Sequence, residues 1–121
     1  MKRTLVLALL GLGLWGCRDH DGAAAREAER VWSERCVRCH GVHGRGDGPD
    51  AHTLKVRPRD FGNAAWQEKE EDEELEEVIL LGGKAMGYSV EMPPNPDLNA
   101  KPDVVRALID KIRALGKRSR G

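Results

Sequence analysis

Residues 36–40 read Cys-Val-Arg-Cys-His, and no other stretch restricts so tightly what the chain can become. Cys36 and Cys39 are three apart, so on a helical turn both sulfurs point the same way. His40, four after Cys36, reaches the same object from an adjacent angle. The remainder of this 121-residue, 13.4 kDa chain is short of core material, with aromatics at 4% and hydrophobics at 40%. That length makes about one domain, too short for two full cores. Three cysteines cannot form a fully paired disulfide framework. Something other than side-chain packing or a disulfide cage fills the middle, and the composition points to a bound group.

Two thiols on one helical turn can add across two vinyl groups of a haem while the imidazole binds the iron. C-x-x-C-H is the attachment pattern of c-type haem. A zinc site would want four ligands, often with a second cysteine pair. After His40 only His43 and His52 remain, and no second C-x-x-C exists. A thioredoxin-like reading would want a βαβ framework, and none is visible. The motif therefore predicts one covalently attached haem c, anchored at Cys36 and Cys39 with His40 on the metal.

The front end reads as an export signal. Lys2 and Arg3 precede an apolar run from Leu5 to Leu14 broken by Gly11 and Gly13. That run is too short to span a bilayer, which takes roughly 20 apolar residues, and has the length and flanks of a signal-peptide h-region. Leu14-Trp15-Gly16-Cys17 resembles the bacterial lipoprotein signal, which implies cleavage after residue 16 and lipid on Cys17. The rival reading is cleavage within Gly22–Ala25 with loss of Cys17. Both place the protein outside the cytoplasm, and covalent attachment of this kind of haem is an extracytoplasmic process in bacteria. The lipoprotein reading divides the chain into a signal peptide (1–16), a lipid-anchored linker (17–23), a domain (24–116) and a basic tail (117–121).

Lys plus Arg equals Asp plus Glu at 20 each, so no basic excess argues for nucleic acid. Without Lys2 and Arg3 the balance is 18 basic to 20 acidic residues. The acid is concentrated at 68–77, EKEEDEELEE, partly explained as a helix start, where carboxylates favour the dipole.

Three helices are predicted. The first runs from about Ala23 to Cys39, capped by Asp21, with Ala24, Ala28, Val31, Trp32 and Arg35 on one face. The second covers about Asp72 to Leu81, with Leu75, Val78, Ile79 and Leu81 apolar and Gly82-Gly83 stopping it. The third follows Pro102, a favoured first helical residue. It carries the stripe Val104, Val105, Leu108, Ile109, Ile112 and Leu115, and Gly116 ends it. Residues 41–63, rich in glycine with Pro49 and Pro58, read as loop. No strand alternation appears, so the fold class is all-α.

Beyond the motif, the chain resembles the class I cytochrome c family, particularly small bacterial monohaem members. The matching segments are CVRCHGVHGRGDGPDAHTL, VRPRDFGNAAW, GGKAMGYSVEMPP and the last amphipathic helix, together spanning about Ala24 to Leu115. The resemblance implies three main helices with long Gly/Pro-rich loops around one haem, the first and last helices crossing. It implies His40 and a distal Met as axial ligands. Met92, in Met92-Pro93-Pro94, matches the family's Met-Pro position; Met86 is the alternative. His52 falls on the His40 side, His43 is too near His40 to reach the opposite face, and His20 sits in the linker. The resemblance further implies a Pro49 carbonyl accepting from His40. Arg57, Arg59 and Trp66 are candidates to meet the haem propionates, with surface exposure the alternative for the arginines. Tyr88 either lines the pocket or covers it.

An iron with both axial positions filled by protein has no open site for substrate and suits one-electron transfer, at a higher potential for Met/His than for bis-His. The expected function is electron carriage between redox-protein donors and acceptors, as a membrane-tethered shuttle or a subunit of a larger oxidoreductase. The alternative is a haem sensor or gas-binding module with a labile distal ligand. No catalytic triad, poised carboxylate pair or nucleotide loop is present; the glycines of GRGDG precede no helix–strand unit.

Overall fold

Proline at 102 and the apolar stripe behind it start the helix on which the rest of the fold is assembled. The computed structural model describes the backbone of residues 16–118 and side chains from Asp21. The signal peptide lies outside the described residues except for Gly16, as does the Cys17 side chain. Helix α5 runs Pro102–Arg118, and all six apolar stripe residues are buried. Helix α1, Gly16–Val31, packs on α5 through Ala28 and Val31, joined by Trp32 just beyond it. Helix α4, Asp72–Leu81, closes the core with Leu75 and Ile79, and Leu98 fills it from a 3-10 turn at Pro96–Ala100. No strand occurs among the described residues, and the fold is all-α as predicted.

Four departures have physical reasons. First, α1 begins at Gly16, so the expected linker is helical and Asp21 lies inside the helix instead of capping it. Residues 23–31 are mostly alanine, glutamate and arginine, all strong helix formers that propagate the helix both ways. Second, the helix does not reach Cys39 unbroken. A π turn at Trp32–Cys36 separates α1 from the single turn α2, Val37–His40. Third, a helix unforeseen from the pattern, α3 at Ala64–Lys69, is too short to show a period; its start is marked by Asn63, whose side chain accepts the Trp66 N–H at 3.0 Å. Fourth, Gly116 does not end α5. It is buried inside it, and the Gln67 side chain occupies the space a Cβ would take.

Candidate haem-attachment site

The attachment turn, Cys36 with α2 after it, is short, so its exposed carbonyls need partners from elsewhere. The glycine-rich loop after it supplies them. Gly46 N–H donates to the His40 carbonyl at 2.9 Å, Gly48 N–H to Cys39 at 3.1 Å and Asp50 N–H to Arg38 at 2.8 Å. Glycine is required there because the loop lies hard against the helix end: a Cβ on Gly48 would run into the Val37 and Arg38 carbonyls. Gly41, at φ 81°, takes the left-handed conformation that ends α2. An Arg38–Asp50 ion pair at 2.7 Å adds a side-chain tie between turn and loop.

Both motif thiols are half-buried and unpaired. Burial pushes Cys36 up to about 11, and burial followed by the Asp50 charge raises Cys39, so both are neutral thiols at pH 7. The wide π turn brings the Cys36 sulfur 4.0 Å from the Val31 carbonyl, five residues back.

The His40 ring is held on two sides. Its Nδ1 lies 3.3 Å from the Arg59 carbonyl oxygen, and its face stacks on Phe61 with centroids 4.6 Å apart and planes 14° from parallel. Burial lowers the His40 pKa, opposed by that carbonyl. A neutral ring donating from Nδ1 keeps the Nε2 lone pair free for a metal. The acceptor expected from the resemblance was the Pro49 carbonyl; here it is Arg59. The loop of Pro49 caps the helix end instead, and residues 58–61 run under the ring, pinned by the Phe61 N–H to the Gly44 carbonyl at 2.7 Å.

The residues expected at the propionates separate into two groups. The Arg59 guanidinium sits 5.7 Å from the Trp66 ring centroid, and both oppose the rise in the Glu70 pKa that burial and the Glu74 charge cause. Tyr88 feels the charges of Glu70, Glu74 and Arg59, which puts it in the same neighbourhood; it is half exposed, at 54%. Arg57 instead donates to the Arg45 carbonyl at 3.4 Å. It lines an open groove of about 620 Å³ with Pro49, His52, Leu54 and Lys55, to which no residue of the attachment turn contributes.

Met92 and Met86 are both half-buried. Gly83 N–H donates to the Met92 carbonyl at 3.0 Å, and Met92 N–H to Ser89 at 3.3 Å. Gly82 and Gly83 do more than stop α4: a Cβ on either would meet the Met92–Pro94 backbone, the Met92 Cβ or the Ser89 carbonyl. Met86 lies in the tight turn between Gly83 and Tyr88. His43 and His52 are exposed, and the His20 side chain is outside the described residues.

Sequence reasoning passed over Phe61, whose stacking on His40 has no signature in a loop, and Arg35 and Glu91, whose partners lie more than 35 residues away. Arg35 was visible only as a polar member of an apolar face.

Two neutral thiols and one neutral imidazole within five residues suit covalent attachment of a macrocycle better than chelation of a bare ion. Among the described residues, no group of three or more His, Cys, Asp and Glu side chains converges to hold one. A family model described as cytochrome c oxidase, cbb3-type, subunit III matches residues 23–110. The chain belongs to this family. No curated relative matches it. As a cytochrome c domain it carries covalently bound haem c and serves haem-based electron transfer, fitting a carrier better than an enzyme. Cytochrome c domains of the cbb3 type typically lie outside the cytoplasm.

Proposed function

We propose that this chain is a periplasmic one-electron carrier in which Cys36 and Cys39 anchor the haem and His40 and Met92 are its axial ligands. The bound haem supplies the one-electron chemistry. The protein's part is to hold two ligands still, so that little rearranges between oxidation states. The observation that carries this reading is the double restraint on His40, with the Arg59 carbonyl at Nδ1 and Phe61 on its face. A ring oriented in this way is suited to serve as a resident ligand, and a carbonyl accepting from Nδ1 increases its basicity.

Met92 is supported as the second ligand by its place in a stiff segment, followed by Pro93 and Pro94 and received by Gly82 and Gly83. Arg59 and Trp66, already together, are the pair suited to the propionates. Lipid on Cys17 would tether the carrier at the membrane. Its partners on this reading are respiratory or dehydrogenase redox proteins, with the exposed acidic face of α4 available to a basic docking surface.

The test is spectroscopic. Met92→Ala in the haem-loaded protein is expected to abolish the weak far-red ferric band of methionine–iron bonding, and Met86→Ala to leave it. The reverse pattern would reassign the ligand to Met86, and a band absent from the parent protein would favour an open or labile site.

A further inference from the structure

The segment around Met92 is tied at both ends to the chain on either side of the attachment turn. Arg35, immediately before Cys36, sets its guanidinium fork on Asp97, with Nη1 to Oδ1 and Nη2 to Oδ2 both at 2.9 Å. Nη1 also donates to Asn95 Oδ1 at 3.1 Å. Asn95 passes the restraint inward, donating its side-chain amide to the Ile79 carbonyl at 2.8 Å and its backbone N–H to Leu80 at 3.1 Å. At the other end Glu91, immediately before Met92, accepts the Lys55 backbone N–H at 3.0 and 3.3 Å. Glu91 also accepts from the Ser89 hydroxyl at 3.2 Å. Lys55 lies in the loop that continues from Cys36–His40, so this tie holds the Met92 segment to the chain on the far side of the motif.

We infer that Arg35 and Glu91 are a pair of positioning residues that hold the Met92 segment closed on the attachment turn and so keep the Met92 thioether as a ligand. The inference rests on the ligand reading proposed above. Neither side chain reaches the metal; each acts through the backbone it holds. A bidentate Arg–carboxylate pair fixes geometry as well as energy. The side chains of Arg35 and Asp97 are 37% and 49% exposed, so solvent screening keeps each tie modest. A modest tie still matters here, because the occupancy of a ligand loop is set by its local opening equilibrium and not by global stability. An external ligand for the iron binds in proportion to the open fraction.

The experiment is imidazole titration of the haem-loaded ferric protein, followed by loss of the far-red band, with thermal unfolding measured in parallel. Arg35→Gln and Glu91→Ala are each expected to bind imidazole about three- to tenfold more tightly than the parent. Arg35→Lys, which keeps charge but not the fork, and Glu91→Gln, which keeps an acceptor, are expected to recover part of the difference. Arg30→Gln, which breaks an exposed pairing within the first helical run, is expected to stay within about twofold. Lower melting temperatures with unchanged imidazole affinity in Arg35→Gln and Glu91→Ala would overturn the inference, leaving both residues merely structural. Glu91→Ala carries the test alone if Arg35→Gln does not accumulate. Met92→Ala separates the two levels. If it loses the band while both position variants match the parent, only the clamp fails; if it keeps the band, the ligand reading fails and the clamp with it.

Discussion

At Gly48 a single hydrogen atom is all the space allows, between the loop and the Val37 and Arg38 carbonyls. Gly48→Ala is expected to destabilise the fold by about 1–3 kcal/mol, an overpacking cost, read as a lower denaturant midpoint with unchanged slope. Phe61 carries two duties, as a core residue only 6% exposed and as the surface under His40. Phe61→Ala is expected to cost about 3–5 kcal/mol in the same measurement. At this scale the sequence was most legible where spacing encodes chemistry. Cys36, Cys39 and His40 declare themselves by position alone. Arg59 was singled out for its side chain, yet it is its carbonyl that orients His40, because any residue offers a carbonyl and only the path of the chain decides which one is used. Pro49 was displaced for the same reason.

Helices α4 and α5 were readable to within a residue or two because their apolar residues recur at helical spacing and because Pro102 and Gly82 punctuate them. α3 has six residues and no room for a period, and the π turn has no sequence signature of its own. Gly116 is the clearest misreading and offers a sharp test. An exposed glycine inside a helix would be stabilised by alanine, by about 1 kcal/mol. Here Gln67 lies against it, donating from Nε2 to the Phe61 carbonyl at 2.8 Å and the Ile112 carbonyl at 3.0 Å, while accepting from Arg113 at 3.0 Å. Gly116→Ala is therefore expected to destabilise by about 1–2 kcal/mol, since Gln67 must give up bonds in order to move. A rise in stability would show that Gln67 shifts freely and that the α3–α5 junction is looser than its contacts imply.

Over the whole molecule, α1 packs on α5, a loop of glycines caps the end of the motif turn, and the segment around Met92 is tied to Arg35 on one side and to Lys55 on the other. One tie should be visible in acid. Hydrogen bonds from Arg35 hold the Asp97 carboxyl below the usual carboxylate range. A folded-state value below the unfolded one stabilises fully above about pH 4 and is lost as pH falls through the lower value. Asp97→Asn is expected to be less stable than the parent at pH 7, with the gap closing on acidification toward pH 2. A gap independent of pH would mean that the bridge contributes packing and not charge. The fold class and the covalent group were legible in the chain; how distant segments are tied around Met92 was not, because it depends on contacts between residues 35 and 97 and between 55 and 91.

The central claim is that Cys36 and Cys39 bind haem covalently in a site closed by two protein ligands. The most direct measurement combines the mass of the denatured chain with oxidised and reduced absorption spectra, for protein made in a host that matures c-type haem. The account predicts a mass increased by one haem that survives denaturation, a sharp reduced α-band, the far-red ferric band and no ready binding of carbon monoxide. A chain carrying no haem, from a host that loads a control cytochrome, would contradict it.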